Sequence, residues 1–475
     1  MSIEDPDMTE DTDTEAETAE IPLGEEGVAE VFAIGIGECG SNLVGSYIAS
    51  MSDQKRQGAG GVRRMSTRIR EYMVMNTDRS DLQKSRNKYA IAKKRTLLYG
   101  DVDIGVGGKF ADGYRSVKES EDIILNQLQS LGYEGINGFV IFTSLGGGTG
   151  CGGTPALIEL LRKRFQQEEK RRIFIYVVGV LPFEDQTSES LNSVWALSKL
   201  LAHDHETGET LGPDLILLFS NRTMLQRVLA WQGGEVSEFV EGKLGEDILD
   251  IRKRKKKPIK DDASGMMAEQ DFIELVNPLA LEAVEMMLSP GITEKGKDVY
   301  PTTDLADYSR RLDSIVVPAL YQEVAIFPDM GSVEPQFSAA IRYAVRKTSL
   351  TEMGTNPNAE SVYVVFSGSK DLSRVEFSPY LKKALKGWTA PGASISPTFV
   401  SFDSEQVRSS MLLLFGLPKI PELRTIIEEA RGLISLHTGS KIKERWFLKS
   451  KGSSREELEL AIKDIEELFG IEDSA

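Results

Sequence analysis

The sequence is poor in the residues that most often carry redox and metal chemistry. It holds two cysteines, Cys39 and Cys151, and three histidines, His203, His205 and His437, in 475 residues. Two thiols cannot build a disulfide framework, and the five side chains together give no zinc spacing. Both cysteines lie in glycine-rich stretches, where a small buried thiol is the ordinary reading ahead of redox chemistry. No apolar run reaches the roughly 18 residues of a membrane-spanning helix. The acidic start lacks the basic stretch and apolar core of a secretory signal. The expectation is a cytoplasmic protein that is not transmembrane. Basic residues are outnumbered, 56 against 73 acidic ones, for a net charge of −17. A phosphate backbone demands a cationic surface, so the balance argues against a specific nucleic-acid partner. Only residues 252–260, RKRKKKPIK, are strongly basic. They read as a solvated loop first, and as a contact for an anionic membrane, nucleic acid or an acidic tail second.

What the chain does have is an ordinary globular composition, 40% hydrophobic and 27% charged, at a length that suits two or three structural units. Residues 1–27 hold eleven acids and no Lys or Arg, too little apolar surface to offset ordering entropy, and are expected to be disordered. Residues 28–34, 72–75, 139–142, 173–180 and 215–219 read as strands. Helical stretches are expected over 43–51 and 117–131 and from Pro155. The run 173–180 is continuously apolar and β-branched, the habit of a strand buried on both faces of a parallel sheet. Alternating strands and helices predict a doubly wound, mostly parallel α/β sheet, with ligands at the carboxyl ends of its strands. A helix over 279–288 then leads to a smaller α+β domain. Its expected strands are 315–317, 361–367, 398–402 and 411–415, and its helices 337–345 and from Ile420. A closing helix starts near Ser453 on a capping box. The division is 1–27, 28–278, 279–312, 313–418 and 419–475.

Glycine clusters mark the candidate site. The strongest is Gly146, Gly147, Gly148, Thr149, Gly150, Cys151 and Gly152, between a strand ending near Ser144 and a helix. Glycines there let consecutive backbone N–H groups face an anion, with the helix N-terminus adding partial positive charge. Thr149 adds a hydroxyl. No GxxxxGK[ST] pattern follows, so this is not a Walker loop. The earlier stretch 35–42, GIGECGSN, matches GxGxxG and alone would suggest a dinucleotide site. Such a site wants an acid roughly 20 positions beyond the motif. Here the second strand ends at Asp78, about twice as far, and the second glycine cluster is left unexplained.

Together these clusters resemble the tubulin/FtsZ superfamily, whose signature is GGGTG followed by Ser or Thr and Gly. Cys151 stands where that hydroxyl is usual. The first loop, with Gly37, Glu38, Cys39, Gly40, Ser41 and Asn42, lies between the FtsZ and tubulin styles. Asn76-Thr77-Asp78 is similar to the NTD of FtsZ, and 105–113, GVGGKFADG with Gly107 and Gly108, to its third phosphate loop. Leu181-Pro182-Phe183 resembles the start of the ribose loop, for which Glu184 and Gln186 are the nearest polar residues. Asn277, at the expected start of the central helix, corresponds to the guanine-recognising position. Asn221 is a second polar candidate near the base.

The resemblance implies GTP or GDP as ligand, with Mg2+, and head-to-tail self-assembly in a cytoskeletal or cell-division role. A related paralogue or a membrane adaptor is a further possible partner. Residues 302–307, TTDLAD, resemble the NxDFAD loop that completes the next subunit's site. This implies that Asp304 and Asp307 orient the attacking water across an interface. Thr302 replaces the leading Asn of that motif. Read without the resemblance, the same stretch is an acidic first turn favoured by a helix dipole. Two alternatives stay open: a GTP-binding scaffold with little hydrolysis, motivated by Thr302 and Cys151, and, on GxGxxG alone, a Rossmann-type NAD-dependent oxidoreductase.

Overall fold

The computed structural model describes residues 30–56, 68–101, 104–183, 186–202, 211–232, 269–290, 305, 308, 315–322, 333–369, 377–402, 410–437, 454–469 and 471. Ten strands form one sheet: β1 (Val31–Ile36), β2 (Ile69–Asn76), β3 (Thr96–Leu98), β4 (Gly138–Ser144), β5 (Phe174–Leu181), β6 (Leu215–Ser220), β7 (Ile315–Gln322), β8 (Ala359–Ser369), β9 (Thr389–Phe402) and β10 (Ser410–Gly416). The order is β3-β2-β1-β4-β5-β6-β7-β10-β8-β9. From β3 to β7 every pair is parallel, β10 runs antiparallel to both its neighbours, and β8 and β9 are parallel. This is the mostly parallel α/β sheet read from the sequence. The sheet is also continuous into the second half, because Ile216 pairs with Ile315 and Leu217 with Val316. Nothing in the local sequence announces that long-range pairing.

Alternation along the strands explains the layers. Phe32, Ile34 and Ile36 of β1 enter one buried cluster, Val31 and Ala33 the other. A parallel strand covered on both faces needs apolar residues at every position, and β1, β5 and β6 are buried throughout.

The helices are α1 (Gly37–Arg56), α2 (Arg79–Tyr89), α3 (Phe110–Glu119), α4 (Glu121–Ser130), α5 (Gly148–Leu161), α6 (Thr187–Leu200), α7 (Asn221–Gln232), α8 (Glu269–Leu288), α9 (Val333–Lys347), α10 (Phe377–Leu385), α11 (Pro421–His437) and α12 (Arg455–Phe469). Four of the expected helices depart from their bounds. α1 and α5 start inside their glycine clusters, at Gly37 and Gly148, rather than after them. The stretch expected as one helix is split at Ser120 into α3 and α4. α8 begins ten residues before Leu279 and carries Pro278 in its interior. Its buried face, Val276, Leu279, Ala280, Ala283, Val284 and Met287, runs straight past the proline, so packing outweighs the missing N–H. The C-terminal capping box forms one residue later than the Ser453 start expected from the sequence: Ser454 N–H donates to Glu457 Oε2 at 2.8 Å and Glu457 N–H to Ser454 Oγ at 3.2 Å. Among the described residues, no helix is long and apolar enough to cross a membrane.

Candidate functional site

The chain runs from β1 outward to β2 and β3, then returns to the other side of β1 with β4, β5, β6 and β7. The winding therefore reverses between β1 and β4, which pair from Val31↔Gly138 to Ile36↔Thr143. A sheet of this kind opens a crevice beyond the carboxyl ends of the two strands at such a reversal. The two main glycine clusters are the segments that leave those two ends.

Gly37 carries the turn from β1 into α1 with φ +73, a left-handed value that favours glycine. A Cβ placed there would lie 3.2 Å from the Gly150 backbone N, so the first turns of α1 and α5 abut. Each has free N–H groups at its start, and two helix N-termini converge on one place. The third loop completes the wall. Gly105 N–H donates to the Thr77 carbonyl at 3.1 Å, and Lys109 leads into α3.

Most of the glycines here serve close packing. A Cβ on Gly148 would come within 2.5 Å of the Lys109 backbone N, one on Gly152 within 2.0 Å of the Phe110 carbonyl, and one on Gly113 within 2.1 Å of the Gly148 carbonyl. Glycines on both partners thus let α3 and α5 touch backbone to backbone. Gly40 meets the Phe142 carbonyl in the same way and Gly150 the Thr143 hydroxyl, while Gly146 faces the Glu189 side chain. Gly107, Gly108 and Gly147 have open space instead. At those three the backbone borders open space, and Gly107 and Gly108 are exposed.

Most of the polar residues here shape the loops. Ser144 Oγ accepts from Gly146 N–H at 3.2 Å. Thr149 Oγ1 lies 2.7 Å from Thr77 Oγ1. Asp78 caps α2 by accepting from Asp81 N–H at 3.0 Å, and Asn42 Oδ1 accepts from Ser85 Oγ at 3.2 Å. Cys151 is buried, with its thiol on the Gly148 carbonyl at 3.5 Å. Gln186 Oε1 accepts from Phe183 N–H at 3.1 Å. Ser41 Oγ is buried without a partner among the described residues. Glu38 is exposed, in the first turn of α1. Burial pushes the Cys39 thiol up to about 12, with the charges of Glu38 and Glu189 adding. A thiol held protonated in this way is a poor nucleophile, which supports the inert reading of that cysteine.

Asn221 is the first residue of α7, directly after β6, and Asn277 is buried on α8, which packs against α7. Glu184, Asp304 and Asp307 lie outside the described residues, as do Thr302 and the basic segment 252–260. Two residues near the two acids are described and fully buried. Tyr176 donates its hydroxyl to the Leu305 carbonyl, and Tyr308 donates to the Met287 carbonyl at 2.7 Å. Among the described residues, no three His, Cys, Asp or Glu side chains gather as a metal cage. Magnesium at a nucleotide needs no such cage, since phosphate oxygens and water supply most of its ligands.

One residue escaped the sequence reading. Asn192 on α6 is buried, and its Nδ2 donates to the Gly108 carbonyl at 2.9 Å and to the Gly146 carbonyl at 2.7 Å. It ties the third loop to the main glycine cluster. The available signal was a polar side chain among Leu191, Val194, Trp195 and Ala196, all buried.

Residues 30–225 match the family model described as Tubulin/FtsZ family, GTPase domain. Among curated relatives, the CetZ tubulin-like protein of Pyrococcus horikoshii is 28% identical over 172 residues, 35% of this chain and 40% of that protein. The aligned part thus spans less than half of that relative. CetZ3 of Haloferax volcanii is 25% identical over 418 residues, 86% of this chain and 94% of that protein. Among solved structures, CetZ1 from Haloferax volcanii, a GDP-bound monomer, superposes with a TM-score of 0.60 at 16% identity, covering 85% of this chain and 99% of that one. CetZ2 from the same organism, a GTPγS-bound protofilament, gives 0.60 at 18%, covering 86% and 98%. The reversal of winding and the glycine loops at one crevice lie within residues 30–225, the part of the chain that belongs with the Tubulin/FtsZ family.

Proposed function

We propose that this chain binds GTP and GDP in the crevice between the carboxyl ends of β1 and β4, and assembles head to tail. The carrying observation is that Gly107, Gly108 and Gly147 border open space where the N-termini of α1 and α5 converge. Backbone N–H groups in such a nest favour phosphate oxygens. In this reading Asn277 meets the guanine edge, with Asn221 at the start of α7 as the second candidate, and Gln186 and Glu184 serve the ribose side. The similar CetZ structures, one GDP-bound and one a GTPγS-bound protofilament, support the ligand and the assembly.

Hydrolysis would then need Asp304 and Asp307 from a second copy. They follow α8 in the chain, whose 20 residues span roughly 30 Å, a length that in this reading carries them to the next subunit's loops rather than their own. A head-to-tail contact of this kind does not close and propagates into a filament. The test is turnover of GTP per molecule against protein concentration. The expected result is a threshold followed by a rise, and Asp304→Ala should bind GTP yet hydrolyse slowly in longer-lived polymers. Concentration-independent turnover would leave the second reading, a GTP-binding scaffold. That reading is favoured by Cys151, whose side chain is spent on the Gly148 carbonyl where the family carries a hydroxyl.

A further inference from the structure

The helix α11 carries two carboxylates seven residues apart, Glu422 and Glu429, which places both on one face two turns from each other. Glu422 is buried. Its Oε1 accepts from Ser220 Oγ at 2.9 Å and its Oε2 from Thr223 Oγ1 at 3.1 Å. Glu429 accepts from Ser190 Oγ at 2.6 Å and from the Arg222 guanidinium at 2.5 Å. The sequence separations are about two hundred residues or more, so these bonds carry one end of the chain back to the middle.

Their targets are not scattered. Ser220, Arg222 and Thr223 surround Asn221, where β6 turns into α7. Ser190 stands on α6 two positions before Asn192, the residue that ties Gly108 to Gly146. One helix thus grips both the segment proposed to meet the base and the helix that holds the phosphate loops together. Apolar side chains would seal such a contact as well as buried carboxylates do. Directional hydrogen bonds add a fixed register between the elements they join.

Resting on the guanine-nucleotide reading, we infer that Glu422 and Glu429 are positioning residues that let α11 set the geometry of the nucleotide cleft from outside it. Glu422 acts on the base side through α7, and Glu429 acts on the phosphate side through Ser190 and α6. Neither touches the nucleotide.

The experiment titrates the nucleotide-free full chain with fluorescent mant-GTP, mant-GDP and mant-ATP, with thermal unfolding of each variant in parallel. Thr223→Val keeps shape and removes one bond to Glu422. It should lower the GTP-over-ATP preference roughly tenfold, the range expected for a lost buried hydrogen bond, and Thr223→Ser should restore it. Ser190→Ala should weaken mant-GTP and mant-GDP alike by a similar factor while leaving the base preference intact, and Ser190→Thr should recover affinity. Glu422→Gln should reproduce the Thr223→Val pattern. Variants that unfold cooperatively at a lower temperature, yet keep wild-type affinities and wild-type preference, would reduce both carboxylates to structural contacts and overturn the inference. A wild-type chain that binds no guanine nucleotide would instead overturn the functional reading beneath it.

Discussion

Thr77 and Thr149 meet hydroxyl to hydroxyl at 2.7 Å, joining the turn after β2 to the first turn of α5. Thr149, read from the sequence as a phosphate donor, therefore already has a protein partner. Thr77→Val should cost about 0.5–1.5 kcal/mol of stability, the net worth of one hydrogen bond, and should also weaken nucleotide binding. Chemical unfolding and a mant-GDP titration check the two effects, and a variant with wild-type values in both would remove this bond from the site.

Gly147 and Gly148 are neighbours with opposite demands. Gly147 has φ −77 and ψ 150 and open space where a Cβ would stand, so Gly147→Asp is sterically allowed and brings a carboxylate to the proposed phosphate site. It should keep the wild-type melting temperature and lose GTP binding. Gly148→Asp should lose the melting temperature as well, because its Cβ would lie 2.5 Å from the Lys109 backbone N. Equal stability in the two variants would contradict the α3–α5 contact.

Asn192 holds two carbonyls with one amide group. Asn192→Leu removes both bonds and leaves the buried Gly146 carbonyl without its donor, which should cost about 1–3 kcal/mol. Asn192→Asp should be worse, since a carboxylate facing two carbonyls offers no donor. Both should raise the Kd for GTP by more than tenfold. Stability by urea unfolding, read beside the Kd, tests the order Asn, Leu, Asp.

Glu422 gives the chain a pH dependence of known sign. Burial raises its carboxyl above the ordinary 4.5, opposed by the Ser220 and Thr223 hydroxyls and by Arg222, and aided by Glu352. The folded state therefore takes up the proton at a higher pH than the unfolded state does. Its contribution to stability is greatest below the unfolded value and is lost as pH rises through the folded one. Glu422→Gln lacks this slope, so its deficit against wild type should shrink from pH 4.5 towards neutrality. Unfolding free energies measured across that range would refute the assignment if the deficit stayed constant.

The parts legible in the sequence were those set by local chemistry. Residues 173–180 announce a doubly buried strand by composition alone, and the Ser-Ser-Arg-Glu stretch from Ser453 announces a helix start to within one residue of the box that forms. The clusters at 35–42 and 144–155 mark the site because glycine has few other reasons to recur so densely. What stayed hidden depends on partners distant in the chain. Asn192 sits in an apolar helix with no local motif, and its role exists only because Gly108 and Gly146 come to it. The start of α5 at Gly148 contradicts helix propensity and needs α3 beside it. The helix expected from 279 begins at Glu269 instead, because the packed face of α8 runs past Pro278.

The contact between α3 and α5 also bears on the order in which the chain can fold. Gly148, Gly150, Gly152 and Gly153 occupy four of the first six positions of α5. Each glycine disfavours a helix by roughly 1 kcal/mol relative to alanine, so this end of the helix opposes its own formation by about 4 kcal/mol. Alone it would stay unwound. The arrival of Phe110 and Gly113 against it supplies a compensating contact, so the turn proposed to face the anion should be a late product of assembly that is completed once residues 105–119 have docked. In a partly unfolded chain, the cleft should therefore vanish before the sheet beneath it does.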